Sequence, residues 1–113
     1  MKRLTIPALS CLLVLVFTLA SALPAMAHKV RIFAYSDTDT IFVESQFSKT
    51  SPAQNCLVTM TDASGNEVGS CTTDETGQCE MPVPEGASGD LTLTVHAGEG
   101  HQGSWTLLEA DYK

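Results

Sequence analysis

The chain reads as all-β: one antiparallel β-sandwich of about seven strands, preceded by a helical signal peptide. Three observations predict this. After residue 28, apolar and polar residues alternate with a period of two in segment after segment, and no stretch holds a helical period. Clusters of Gly, Pro, Asn, Asp and Ser interrupt that alternation at roughly 8–12-residue intervals. The residues before 28 have the layout of an export leader, which leaves residues 28–113 to form the domain.

The leader comes first. Met1-Lys2-Arg3 is a short basic start, and residues 9–23 are apolar apart from Ser10, Thr18 and Ser21. An apolar run of about 15 residues falls short of the roughly 20 that span a bilayer as a helix. Pro24 ends any helix, and Ala25-Met26-Ala27 places small residues at −3 and −1 of a peptidase site, so cleavage is expected before His28. Ala20-Ser21-Ala22 offers a second small-x-small site but lacks the preceding break. Cys11 lies ahead of most of the apolar run, so it is not a lipidation site.

The strands follow in order. Residues 29–35 place Val30, Ile32 and Ala34 on one face and Phe33 and Tyr35 on the other. After a turn at 36–39, residues 41–47 put Ile41, Val43 and Phe47 on one side, with Glu44 and Gln46 opposite. A loop at 48–55 leads to a third strand whose Cys56, Val58 and Met60 share a face. Residues 62–66 form a hairpin loop answered by a fourth strand at 67–72. In the fifth, at 78–83, Cys79, Met81 and Val83 point one way, while Pro82 and Pro84 mark a sheet edge because neither offers an N–H. Residues 90–96 are the cleanest strand, with Leu91, Leu93 and Val95 inward and Thr92 and Thr94 outward. A Gly-rich loop at 97–103 precedes the last strand, at about 104–109.

Length and charge narrow the function classes. The 113 residues carry 6 basic and 13 acidic side chains, a net charge of −7. Lys2 and Arg3 leave with the leader, so the exported domain of 86 residues has a net charge of −9. That is one small domain. Nucleic acid is excluded as a partner, because phosphate binding needs clustered Lys and Arg. No G-x-S-x-G elbow, phosphate-cradling G-x-x-x-x-G-K or H-E-x-x-H helix occurs, so no catalytic residues are expected and the domain is not read as an enzyme.

Three cysteines remain after the leader: Cys56, Cys71 and Cys79. An exported chain can bridge two of them, and the odd count leaves one thiol. All three pairings are open. Taking residues 72–78 as a hairpin turn favours Cys71 with Cys79, whose sulfurs would then lie across neighbouring strands. Met60 and Met81 read as core.

The histidines carry the metal chemistry. Cleavage before His28 would place a free α-amine beside its imidazole, a compact two-nitrogen chelate for a divalent ion such as Ni²⁺, Co²⁺ or Cu²⁺. His96 and His101 bracket the loop H-A-G-E-G-H, whose glycines allow a tight fold that could bring the two imidazoles together. His28, His96 and His101 are therefore the candidate metal ligands, with no organic cofactor expected. The plainer alternative leaves His96 on the polar parity of its strand and His101 in solvent.

A family resemblance rests on five segments: A-H-K-V-R-I-F-A-Y at 27–35, D-T-I-F-V-E-S-Q-F-S at 39–48, P-A-Q-N-C-L-V-T-M-T-D-A-S-G at 52–65, T-D-E-T-G-Q-C-E-M-P-V-P at 73–84 and L-T-V-H-A-G-E-G-H at 93–101. Together they resemble the small exported accessory proteins of nickel and cobalt importers of the energy-coupling-factor ABC type. The resemblance implies an Ig-like, carboxypeptidase regulatory-like sandwich working outside the membrane. Its partners would be the integral-membrane components of the importer, and its cargo Ni²⁺ or Co²⁺. His28 and His101 match the family pattern, whereas His96 departs from it. The sequence shows no second apolar run before Lys113, so association with the importer is expected through protein contacts or a retained leader. Two alternatives stand beside this one: a structural docking module that touches no metal, and a periplasmic copper-binding protein.

Overall fold

The computed structural model describes residues 29–113. The leader assigned to residues 1–27 and the terminal chelate at His28 lie outside the described residues. The described chain is all-β, with two antiparallel four-stranded sheets and one short helix. In the first sheet, β2 (Thr40–Ser48) is central. It pairs with β1 (Arg31–Asp37) along one side and with β3 (Ser51–Pro52) and β6 (Gln78–Pro82) along the other. The second sheet runs β5 (Glu67–Thr72), β4 (Leu57–Thr61), β7 (Leu91–His96), β8 (Gln102–Leu107).

The period-two pattern decides which faces meet. Ile32, Ala34, Ile41, Val43 and Met81 project from the first sheet onto Val58, Met60, Leu91, Leu93, Val95 and Leu107 of the second, and together they form one continuous core. Burying side chains of this size stabilises by about 1.5–3 kcal/mol each, which is the main term holding the two layers together. Along one side of the sandwich, β8 lies against β1. There Gly103 comes so close to Val30 that a Cβ would sit 2.6 Å from the Val30 carbonyl oxygen.

Four local expectations are corrected. The 48–55 segment is not all loop: Ser51 and Pro52 add a short strand to β2 across a bulge, and Ala53 is fully buried. The first turn is tighter than 36–39, because Asp37 pairs with Thr40 and only Thr38 and Asp39 remain at the tip, Thr38 with φ 57°. The last strand ends at Leu107, and a four-residue helix, α1 (Glu109–Tyr112), follows. Tyr112 fixes that helix: its ring is buried, and its hydroxyl donates to the Gly89 carbonyl at 2.5 Å. Burial, with Glu109 and Asp90 nearby, pushes the Tyr112 phenol above its ordinary pKa.

The fourth correction concerns residues 72–78. They do not form a hairpin within one sheet; they carry the chain from β5 in the second sheet to β6 in the first. Thr73 is still tied to the second sheet's side, where its N–H donates to Cys56 and its carbonyl accepts from Asn55. Gly77, four residues on, already accepts from Ser45 of β2. Cys71 and Cys79 are disulfide-bonded with Cα atoms 5.9 Å apart, so the bridge joins the two sheets and not two strands of one. Among the described residues Cys56 is the free thiol, buried, with its Sγ 3.3 Å from the Gln54 carbonyl.

Candidate docking face

The outer face of the first sheet is built by the residues that the alternation turns away from the core. From β1 these are Arg31, Phe33, Tyr35 and Asp37; from β2, Phe42, Glu44 and Gln46; from β6, Gln78 and Glu80. Register then sets neighbours. Tyr35 lies opposite Phe42, Phe33 opposite Glu44, Phe42 opposite Glu80, and Glu44 opposite Gln78.

The aromatic members form a continuous stripe. Tyr35 and Phe42 stack with centroids 5.3 Å apart and planes 20° apart. Phe33 lies 5.8 Å from Tyr35, and Trp105 of β8 meets Phe33 edge-on at 5.0 Å. Trp105 reaches this stripe because β8 packs beside β1. Phe33 and Tyr35 remain 46% and 48% exposed, so the stripe is a surface feature with an apolar body. Large side chains are normally placed in the core, and a contiguous exposed group of them marks a contact site more often than a lone exposed residue does.

Beside the stripe is an open cleft of about 320 Å³, lined by Tyr35, Phe42, Glu44, Asp74, Gln78 and Glu80. Its charge is negative. Asp37, Glu44 and Glu80 stand on this face against the single cation Arg31. None of the four is ion-paired, since among the described residues the one salt bridge joins Lys113 to Glu109. Asp74 adds a fixed charge at the rim. The Thr76 hydroxyl, with the Gln78 and Thr76 N–H groups, holds its carboxyl below the ordinary carboxylate value.

The opposite face is of another kind. On the second sheet, Thr59 and Thr61, Thr92 and Thr94, and Ser104 and Thr106 lie side by side across three strands. Hydroxyls this short present little apolar area.

His96 belongs to that hydroxyl face. One ring nitrogen is 3.0 Å from the Thr59 hydroxyl and the other 3.2 Å from the Gln102 amide, so both are already engaged. His101 has a different neighbourhood, a cavity of about 550 Å³ shared with Phe47, Ser48, Ser51 and Ala97. Between them the loop closes on itself through Ala97 N–H to the His101 carbonyl at 2.9 Å, with Gly98, Glu99 and Gly100 all at positive φ. Among the described residues, no group of three or more His, Cys, Asp or Glu side chains is arranged to hold a metal ion. Met60 and Met81 are core residues.

The sequence puts Phe33 and Tyr35 on the strand face opposite Val30, Ile32 and Ala34, and the structure makes that face the outer one. Phe42, Glu80 and Trp105 are not singled out there. Phe42 shares the parity of Glu44, a usable signal; Trp105 joins the face only through a contact between sheets, which no local pattern encodes. No protein-family model, curated protein or solved structure matches the chain. Among the described residues, no helix is long and apolar enough to cross a membrane.

Proposed function

We propose that this domain is a non-enzymatic extracytoplasmic accessory that works by docking its aromatic face on a membrane importer of Ni²⁺ or Co²⁺. The observation that carries the reading is the aromatic stripe Trp105–Phe33–Tyr35–Phe42, exposed at Phe33 and Tyr35 and flanked by carboxylates that have no ion-pair partner among the described residues. Interfaces concentrate their energy in a few aromatic anchors surrounded by polar residues, and this face has that composition. The family resemblance supplies the identity of the partner, and the acidic rim supplies its complement, a basic extracytoplasmic segment.

A second reading, in which the domain itself holds the metal, is favoured by one feature. His101 lines a cavity and makes none of the side-chain hydrogen bonds that occupy His96. It would pair with His28 and the terminal amine. Calorimetric titration of the exported protein with Ni²⁺, Co²⁺ and Cu²⁺ tests it, with a His28→Ala/His101→Ala variant as control; equal heats from both proteins sink it.

For docking, the test is co-purification with identified importer subunits in mild detergent. Phe33→Thr/Tyr35→Thr keeps strand propensity and should lose the subunits. Thr59→Val/Thr94→Val, on the other face, should keep them. Full retention by the first variant would overturn the proposal.

A further inference from the structure

Resting on the docking reading, the geometry points to an arginine side chain of the partner as the group received in the cleft between Tyr35, Phe42, Glu44 and Glu80. The register places a carboxylate on two sides of one ring: Glu80 directly across from Phe42 on β6, and Glu44 two residues along the same strand. Tyr35 completes the surround by stacking on the ring from β1. A planar cation suits this arrangement better than any neutral group. Guanidinium lies flat on aromatic faces and offers a fork of N–H donors to flanking carboxylates. An ammonium would satisfy the charge but not the stacking.

The rest of the face agrees. Glu44 has only a long contact of 3.4 Å from the Gln46 amide, and Glu80 accepts no side-chain hydrogen bond among the described residues, so each carboxylate keeps oxygen lone pairs to receive donors. The face's own cation, Arg31, stands opposite Gln46 and lines a neighbouring pocket with Glu44, yet it does not ion-pair with that carboxylate. Phe33, opposite Glu44, and Trp105 beyond it extend the aromatic floor past the cleft, so the occupant is an arginine flanked by aliphatic residues. A second copy of this chain is a poor occupant, because each exported domain carries a net charge of −9 and would bring like charge to the cleft. Anionic lipid is disfavoured for the same reason.

Titration of the exported protein with the peptide acetyl-Leu-Arg-Leu-Arg-Leu-amide tests this, read by amide shifts and by emission of Trp105, the single tryptophan. The expected result is saturable shifts confined to β1, β2 and β6, with Trp105 of β8 the one responding residue outside them. Binding should weaken about tenfold when citrulline replaces arginine, and by a similar factor in Glu44→Gln/Glu80→Gln, which keeps side-chain shape. Equal binding of the citrulline peptide overturns the inference, as does no binding at all. So do shifts centred elsewhere, or a response only to phosphatidylethanolamine vesicles or neutral oligosaccharide.

The two levels separate cleanly in the co-purification assay. If Glu44→Gln/Glu80→Gln retains the importer subunits while Phe33→Thr/Tyr35→Thr loses them, docking stands and the arginine assignment falls. If both variants retain them, both fall.

Discussion

Residues 61–66, T-D-A-S-G-N, and residues 73–78, T-D-E-T-G-Q, are nearly the same sentence written twice, twelve residues apart. They also fold alike. In each, the Asp N–H donates to the carbonyl four residues on, at 2.9 and 2.8 Å, and the Gly N–H donates back to the Asp carbonyl at 3.0 Å. In each, one Asp Oδ1 accepts the N–H groups two and four residues ahead, and the Gly takes a positive φ, 85° at Gly65 and 80° at Gly77. Yet the first loop returns the chain to its own sheet and the second delivers it to the other. Turn chemistry of this kind sets the loop's shape and leaves its destination open.

What differs is the surroundings. The first loop is solvated: nothing lies within 4 Å of a Cβ at Gly65, and Thr61 is half-buried on the outer face. The second is wedged between the layers. Gly77 is pressed against Ser45, Pro52 and Ala53, and Thr73 is 1% exposed. The Thr73 hydroxyl donates to the Ala53 carbonyl at 2.6 Å and accepts from the Cys56 N–H at 2.8 Å. This second loop also supplies Asp74 and Gln78, one wall of the candidate cleft, so its rigidity bears on the docking face directly.

The contrast should be largest at the glycines. Gly77→Ala forces a left-handed backbone on alanine and drives its Cβ into the Ser45 carbonyl, so a loss of about 3–5 kcal/mol is expected. Gly65→Ala meets only the backbone penalty, about 1 kcal/mol. Chemical denaturation of both variants decides the matter. Equal losses would mean that Gly77 is not held as tightly as its contacts imply.

Threonine comes next. Thr73→Val keeps the shape but leaves the Ala53 carbonyl and the Cys56 N–H without that partner in a dry site, a loss of about 2–4 kcal/mol. Thr61→Val removes only a long contact to the Thr92 carbonyl, 3.4 Å, and should fall within about 0.5 kcal/mol of wild type. A Thr73→Val protein as stable as Thr61→Val would show that the two hydrogen bonds carry no weight.

The covalent tie has no counterpart at the first loop. Cys71→Ala/Cys79→Ala opens a bridge of sequence separation 8, and should cost about 2–3 kcal/mol. Because the bridge joins the sheets, hydrogen-exchange protection should drop in β6 more than in β5: each keeps a ladder to one neighbour, but β6 ends in Pro82, which has no N–H to give. Uniform loss of protection in both strands would contradict that placement.

The same contrast explains what could be read from the sequence. Period-two alternation suffices to place seven strands and to separate Phe33 and Tyr35 from Val30, Ile32 and Ala34, because side-chain parity is a local property. It fails at 73–78, where the destination depends on Thr73 and Gly77 burying against residues 17 and more positions away. Reading that loop as a hairpin still favours Cys71 with Cys79, but by a wrong route: the sulfurs meet across the layers. The aromatic stripe was half legible for the same reason. Its β1 members follow from parity, whereas Trp105 joins only when β8 comes to lie on β1. His96 and His101 are close in sequence, yet strand parity gives His96 to Thr59 and Gln102 while His101 turns to Phe47 and Ser51.

The smallest expected effect lies in pH, and it isolates one hydrogen bond by which the twin loops differ. Both loops carry a hydroxyl two residues after the Asp, Ser64 and Thr76, but only that of Thr76 donates to its Asp, reaching Asp74 at 2.6 Å in addition to the two backbone bonds. That hydroxyl is the leading cause of the lowered Asp74 pKa, followed by the Gln78 and Thr76 N–H groups. A carboxylate whose folded pKa lies below its unfolded one adds stability that is present above the unfolded value and disappears as pH falls through the folded value. Asp74→Asn keeps an acceptor for the backbone N–H groups but no charge. It should therefore be somewhat less stable than wild type at neutral pH, with the gap closing as pH drops below the carboxylate range. Thr76→Val should raise the Asp74 pKa toward its ordinary value, as followed by carboxyl carbon shifts in an NMR titration. If wild type and Asp74→Asn keep a constant gap down through that range, or if Asp74 titrates unchanged in Thr76→Val, then the hydroxyl is not what distinguishes the loops electrostatically. The difference between them would then be one of burial alone.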